Sequence, residues 1–424
     1  MHTLKEIYQD NEERNFIDPS LYSRYRVKAG LRNDNGTGVK VGLTKICDVI
    51  GYKIIHEKKY NIDGQLIYRG YPINYLVNKQ PSDKICGFEE TAYLLIFGTL
   101  PNADQLKTFK DYLLNFKMGP VDLQYETPNI LNALQIEVLK LYAKDPSADT
   151  DDLEERMMKG LKILASIPLF TFSYARNKVF KSYPYPDRSL AENILCMARG
   201  NDQYTFEEAK IMDTLLMVHA DHGGGNNSTF ANVVISSTGT DIYSCISAAI
   251  GSLKGPKHGG ANCKVTNMFK AIFHEVGFTT DKATLKKIAN RILDKDFFDH
   301  SGLIYGIGHA IYTKSDPRAL LIHEQCEALA KSKGQEEIYN CIHAFEKVAI
   351  EVMKERKGID VCANVDYYSG YVYSLLGIES DLFTPLFAIS RTAGWVSHHL
   401  ENRQSNRKLI RPANVYVGEM EEIK

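Results

Sequence analysis

Amphipathic helical periodicity runs through most of this chain, and only 14 prolines interrupt its 424 residues. After Pro101, the segment NADQLKTFKDYLLNF places Leu106, Phe109, Leu113 and Phe116 at helical spacing behind Asn102, a natural N-cap. The run LEERMMKGLKILASIPLF repeats the pattern through Met157, Leu161 and Leu164, and Pro168 inside it predicts a kink. The clearest strand signal is KKYNIDGQLIYRG, where Asp63-Gly64 between two β-prone runs predicts a hairpin with its tight turn at that dipeptide. Alternating βαβ units are absent, so a parallel sheet has no support. Two polar, Pro-bearing stretches, GPVDLQYETPN (119–129) and NKVFKSYPYPDRS (177–189), read as surface loops. The end, ENRQSNRKLIRPANVYVGEMEEIK, loses periodicity and is expected to wrap an existing surface. The pattern predicts an all-α chain with one small hairpin near its front. At roughly 100–200 residues per domain, its length suggests two or three domains.

Composition narrows the function. The chain is 44% hydrophobic and 24% charged, and 51 Lys and Arg against 52 Asp and Glu leave a net charge of -1. A duplex-binding surface would leave a basic excess, so nucleic acid is not the expected partner. A local basic pocket for a small anion stays open. No apolar run reaches the roughly 18–20 residues of a membrane span, so no membrane role is expected. The opening MHTLKEIYQDNEERNFIDPS has neither an apolar core nor an Arg-rich, acid-poor character, so it reads as neither secretory signal nor transit peptide. Eight scattered cysteines do not make a disulfide framework, and a reducing cytoplasm is the expected compartment.

The chemistry concentrates in glycine–histidine segments. MVHADHGGGNNSTF holds His219 and His222 at i,i+3, which admits a metal pair, an anion pocket or a capped helix end. No third ligand stands at a usual zinc spacing. Gly223-Gly224-Gly225 permits close backbone approach, and Asn226, Ser228 and Thr229 offer amide and hydroxyl groups. In TGTDIYSCISAAIGSLKGPKHGGANCKV, Thr240 can cap a helix that Gly255-Pro256 stops, and His258 falls on the glycine-flanked turn after it. GLIYGIGHAIYTKSDPRA sets His309 behind three glycines, with Arg318 nine residues on, and it is not a phosphate loop. CANVDYYSGYVYSLLGI places Asp366 in the first turn of an apolar helix, where an acid serves as cap, dipole partner or catalytic group. Arg391 interrupts an apolar helix face in FAISRTAGWVSHHLENRQ, which is costly for a cation unless an anion meets it. His398 and His399 read as one solvent-facing and one packed residue, because adjacent helical positions diverge. The set His323, Cys326, Cys341 and His343 lies on charged helices and makes a poor zinc site.

Together and in this order, HADHGGGNNSTF, LKGPKHGGAN, GIGHAIYTKSDPRA, NVDYYSGYVYSLLGI and SRTAGWVSHHLE…IRP resemble the citrate synthase family closely, with an earlier echo in DGQLIYRGYPINYL. The resemblance runs from about residue 60 to 412. It implies an all-α, two-domain fold acting as a homodimer: residues 1–262 completed by 373–424 as the large domain, 263–372 as the small one. It also implies condensation of acetyl-CoA with oxaloacetate and hydrolysis of the thioester to citrate and CoA, with no metal or other cofactor.

The family's catalytic trio then falls on His258, His309 and Asp366. The oxaloacetate contacts fall on His222, Asn226, Arg318, Arg391 and Arg411, the last reaching the partner subunit's site. The backbone around Leu303, Ile304, Gly306, Ile307 and Gly308 would meet the CoA adenine. Four positions depart from the common pattern: Gly223, Cys263, Ile307 and Ala310. Cys263, close in sequence to His258, is expected to make activity sensitive to thiol reagents. Two alternatives remain. A 2-methylcitrate synthase would use propionyl-CoA with the same trio. A non-catalytic scaffold relative would have no reason to keep that trio and its arginines.

Overall fold

The computed structural model describes residues 3–10, 16–33, 35–119, 123, 127–405 and 408–418. Two compact units are distinguished: Met1–Leu43 with Ile410–Lys424, and Thr44–Leu409. The first holds α1 (Leu4–Asp10), α2 (Ser20–Arg24) and an isolated bridge between Arg32 and Gly38. Its tail, which contains Arg411, forms no regular element among the described residues.

The second unit begins with a small antiparallel sheet of β1 (Cys47–Ile55), β2 (Lys58–Tyr68) and β3 (Tyr71–Pro72). Helices follow: α3 (Ile73–Asn78), α4 (Gly87–Phe97), α5 (Ala103–Leu114), α6 (Ile130–Ala143), α7 (Leu153–Ala175), α8 (Leu190–Arg199) and α9 (Phe206–His219). Then come α10 (Asn227–Ser236), α11 (Ile242–Leu253), α12 (Ala261–Val276), α13 (Lys282–Leu293), α14 (Pro317–Ser332), α15 (Glu336–Lys357), α16 (Val365–Leu375) and α17 (Phe383–Gln404). The fold is helical with one small sheet, as the periodicity predicts, and Asn102 caps α5 in a reciprocal capping box with Gln105. Residues 177–189 form neither helix nor strand. Of the loop 119–129, residues 120–122 and 124–126 lie outside the described residues. Helix α7 continues through Pro168 to Ala175. The cap of α11 is Asp241, whose carboxylate accepts from Ser244 N; Thr240 lies one residue too early and bonds that carboxylate instead.

Helix α17 is the hub. It packs on α4, α7, α9, α10 and α11, and it is buried around nearly its whole circumference. His398 and His399 are both buried, which overturns the solvent-facing reading: a helix enclosed on every side turns both neighbours inward. His398 Nε2 meets Asp221 Oδ2 at 3.1 Å, while His399 lies against Ser236 and Arg156.

The hairpin differs from expectation in an instructive way. Its turn is His56-Glu57, both at positive φ (47° and 63°), and Asp63-Gly64 lies inside β2. A glycine within a strand marks close approach of another backbone. A Cβ on Gly64 would fall 2.1 Å from Ser315 O and 2.7 Å from the Tyr312 ring, and Gly64 N donates to Ser315 Oγ at 3.1 Å. Gly51, where the strand register shifts, is similarly pressed against Ile311 O. Farther along β2, the Tyr68 hydroxyl donates to Asp221 O at 2.8 Å and accepts from Asp221 N. The sheet thus holds two histidine-bearing segments at once, 309–316 and 219–222. Gly64→Ala is expected to cost about 1–3 kcal/mol, the usual penalty for overpacking. Calorimetry should show a clearly lower melting temperature; an unchanged one contradicts the close contact.

Candidate active site

His222 leaves the C-terminal end of α9, where Tyr68 pins the backbone of Asp221. His309 lies in the irregular stretch ahead of α14, and its ring centroid is 5.1 Å from that of His222 and 4.7 Å from that of Tyr312. Its Nδ1 accepts the backbone N–H groups of Ile311 and Tyr312, both at 3.1 Å. An acceptor nitrogen carries no proton, so the neutral ring keeps its proton on Nε2. The same logic fixes His258 the other way. Ser228 N donates to His258 Nε2 at 3.4 Å and Ser228 Oγ lies 3.1 Å from it, so Nδ1 carries the proton. Ser228 is itself held by Trp395 Nε1 and by Asn226 Oδ1.

Burial and the nearby Arg391 push His258 down to about 4, so it is neutral at pH 7. Burial, Arg318, His309, Arg391 and His258 together hold His222 well below the usual imidazole range. These influences place four candidate side chains, from motifs spread over about 170 residues of sequence, in mutual electrostatic reach of His222.

Arg391 is 0% exposed, sits 4.7 Å over the Phe387 ring, and donates from Nε to His219 O at 2.6 Å. Its Nη1 and Nη2 are buried with no hydrogen-bond partner among the described residues. Asp221, paired with His398, lies behind it and offsets part of its burial cost. Arg318 bonds Asp316 through Nε (3.0 Å) and Nη2 (2.7 Å), and Asp316 is also the N-cap of α14. Burial opposes the Arg318 charge, but the Asp316 carboxylate outweighs it and keeps the guanidinium firmly protonated.

Asp366 occupies the first turn of α16, and its Oδ1 is buried without a hydrogen-bond partner among the described residues. Burial raises its pKa to about 6, with Arg318 and Arg391 opposing and Asp316 adding to the rise. The unmet Arg391 Nη atoms and His222 Nε2, with the charged Arg318 near them, suit a small dianion. A carboxylate made basic by desolvation suits proton abstraction.

The remaining expectations divide. His219 is a packing residue: burial drops it to about 3, its Nδ1 meets Leu215 O, and its ring lies against Phe387. No group of three His, Cys, Asp or Glu able to hold a metal occurs among the described residues. No described helix is long and apolar enough to cross a membrane. In the 303–308 segment, Leu303 is exposed, Ile304 is buried, and Gly306 abuts Tyr367 and Val265. Arg411 belongs to the other compact unit. All eight cysteines are free; Cys263 is half-buried and its thiol donates to Ser380 O. Burial, Asp381 and Asp366 push its pKa up, so alkylation at pH 7 should be slower than that of glutathione. Cys263→Ser losing activity to a thiol reagent as fast as wild type would remove Cys263 as the sensitive group.

Asp221, Tyr68, Asn364 and Asp316 are structurally central but carried no signal beyond their presence in the motifs.

A profile described as "Citrate synthase, C-terminal domain" matches residues 33–413. The chain belongs to the citrate synthase family. It is 37% identical over 386 residues to the citrate synthase of Haloferax volcanii, covering 87% of this chain and 94% of that one. Its identity to 2-methylcitrate synthase 1 of Corynebacterium glutamicum is 33% over 366 residues, covering 83% and 89%. Among solved citrate synthases, that of Thermotoga maritima superimposes with a TM-score of 0.73 at 28% identity, covering 94% of this chain and 98% of that one. The Thermoplasma acidophilum enzyme in ternary complex with carboxymethyl coenzyme A and oxaloacetate gives 0.74 at 26% identity, with the same coverage. The matched family region includes every candidate residue from His222 to Arg411.

Proposed function

We propose that the chain condenses acetyl-CoA with oxaloacetate and hydrolyses the resulting thioester to citrate and CoA. What supports this reading is three buried groups from separate motifs that have no hydrogen-bond partner among the described residues, His222 Nε2, the Arg391 Nη pair and Asp366 Oδ1, with Arg391 in electrostatic reach of the other two. Family membership supplies the reaction class, an acyl transfer.

Arg391 and Arg318 take the two carboxylates of oxaloacetate, helped by His222, Asn226 and, from the partner subunit of a homodimer, the Arg411 position. His309 donates from Nε2 to the ketone oxygen and makes its carbon electrophilic. A thioester methyl is a very weak acid. Asp366 can remove its proton only if the enolate oxygen is stabilised as it forms. His258, neutral and donating from Nδ1, supplies that hydrogen bond, and losing such a donor typically costs about 3–4 kcal/mol of barrier. The enolate carbon forms the new bond to the ketone carbon as the C=O π pair moves to oxygen; the His309 Nε2–H hydrogen-bonds the resulting alkoxide, which gains one proton in balance with the one Asp366 removed. Water then cleaves the thioester and releases CoA.

Segment 263–372 acts as a small domain closing over the site, which shields the thioester until condensation has occurred. The 303–308 segment receives the CoA adenine. Free, mostly buried thiols agree with a cytoplasmic setting. No resident metal or cofactor enters this scheme.

Relatives named 2-methylcitrate synthase lie close behind in identity, so propionyl-CoA is a second acyl donor to test. One methylene in an apolar pocket changes binding by only about 1–3 kcal/mol. The test is thiol release with acetyl-CoA and propionyl-CoA, each with and without oxaloacetate. The proposal expects oxaloacetate-dependent release with a higher kcat/KM for acetyl-CoA. A preference for propionyl-CoA transfers the assignment to the methylcitrate reaction, and release that ignores oxaloacetate refutes both.

A further inference from the structure

We propose that Asn364 is a positioning residue for this reaction, a two-ended clamp that fixes the Asp366 carboxylate relative to the His309 imidazole. The inference rests on the reading above and concerns a residue outside the trio. Its side chain bonds both catalytic segments. Oδ1 accepts from Asp366 N at 3.0 Å and so caps α16, while Nδ2 donates to Gly308 O at 2.8 Å, one residue before His309. The backbone joins in: Asn364 N donates to Gly306 O and Gly308 N to Cys362 O, both at 2.8 Å, around the bridge Ile307–Ala363. Other backbone bonds tie these two stretches of chain together, and among the described residues it is the Asn364 side chain that bonds both the peptide before His309 and the amide of Asp366.

The residue type is demanding. Ser, Thr, Asp and Asn all serve as N-caps. Among them only Asn offers a cap acceptor together with an N–H donor for a carbonyl on the far side. Ser in this place keeps the cap and loses the Gly308 bond. Asp keeps the cap, loses the same bond and adds a carboxylate two residues from Asp366, whose charged surroundings are Arg318, Arg391 and Asp316. The clamp therefore separates cap stability from catalytic geometry, and a misplacement on the order of 1 Å can cost about 100-fold in rate.

The test compares wild type, Asn364→Ser and Asn364→Asp by melting temperature, oxaloacetate KM, kcat, and the pH profile of kcat/KM for acetyl-CoA. The clamp predicts that Asn364→Ser melts close to wild type and keeps its oxaloacetate KM within about threefold, while kcat falls roughly 10–100-fold. For Asn364→Asp, the acid limb of the profile should move to higher pH by about one unit, because a like charge disfavours ionisation of Asp366. Asn364→Ser with kcat within twofold of wild type overturns the inference. So does loss of kcat, melting temperature and oxaloacetate affinity in step, which marks a purely structural role. If Asn364→Ser does not fold, Asn364→Asp decides the question, and an unmoved acid limb with normal kcat overturns the clamp. Wild type without oxaloacetate-dependent CoA release overturns both the functional reading and this inference; an active wild type beside an equally active Asn364→Ser overturns the inference alone.

Discussion

Asp366→Asn should abolish exchange of the acetyl-CoA methyl protons with solvent and lower kcat by about 100- to 10,000-fold, the usual worth of a positioned general base. Oxaloacetate should bind nearly as before. The amide has the shape of the carboxylate but cannot accept the proton. The same group predicts the pH behaviour of the wild type. Burial raises its pKa to about 6, and as the proposed base it has to be ionised to act. The kcat/KM for acetyl-CoA should therefore fall about tenfold per unit as pH drops below that value.

The linkage to stability has the opposite sign. An acid whose folded pKa is raised binds its proton more tightly folded than unfolded, so the fold loses stability as pH climbs from about 4 to about 6, and the loss stays constant above that. Asp366→Asn should accordingly melt higher than wild type at pH 8, and the difference should vanish below pH 4. Methyl-proton NMR in deuterated buffer checks the first claim and calorimetry at the two pH values checks the second. Near-normal exchange in the variant would overturn the assignment of the base.

The second large effect is expected at Arg391. Its Nη1 and Nη2 have no hydrogen-bond partner among the described residues, and a carboxylate can take both at once. Hydrogen bonds to charged groups contribute about 1.5–3 kcal/mol each. Arg391→Leu should thus raise the oxaloacetate Kd by at least about 100-fold. The cost to the fold is a separate matter. Removing the guanidinium takes a nearby positive charge away from the buried Asp221, which keeps its contact with His398, so some loss of stability is also expected. Arg391→Lys keeps the charge without the fork and should recover stability more fully than affinity. Titration calorimetry with oxaloacetate separates the two, and an unchanged Kd in Arg391→Leu rejects the clamp.

The motifs legible in the sequence were those in which chemistry forces residue type: glycines beside imidazoles, an arginine in an apolar helix, an acid at a helix start. What stayed hidden was held by tertiary contact. Gly64 follows an aspartate and reads as a turn, yet its missing side chain makes room for the Ser315 carbonyl across the fold. His398 and His399 diverge around their helix as expected, but nothing local reveals that α17 is enclosed on every side. Asp221 sits between two conspicuous histidines, and its roles, pinned by Tyr68 and facing Arg391, depend on residues about 150 and 170 positions away. Asn364 looks like any N-cap until its other amide atom is seen to reach Gly308.

In the proposed mechanism His258, His309 and Asp366 surround one enolate. Carboxymethyl-CoA is a thioether that ends in a carboxylate where acetyl-CoA has its methyl, so it sets negative charge beside the position of that enolate and can be neither enolised nor cleaved like the thioester. Its Kd in the presence of saturating oxaloacetate, compared with that of acetyl-CoA and measured for wild type and His258→Ala, tests the claim most directly. The account predicts that wild type binds the analogue at least about 100-fold more tightly than acetyl-CoA, and that His258→Ala loses most of that advantage. Equal affinities in the wild type, or an advantage that survives His258→Ala intact, would contradict it.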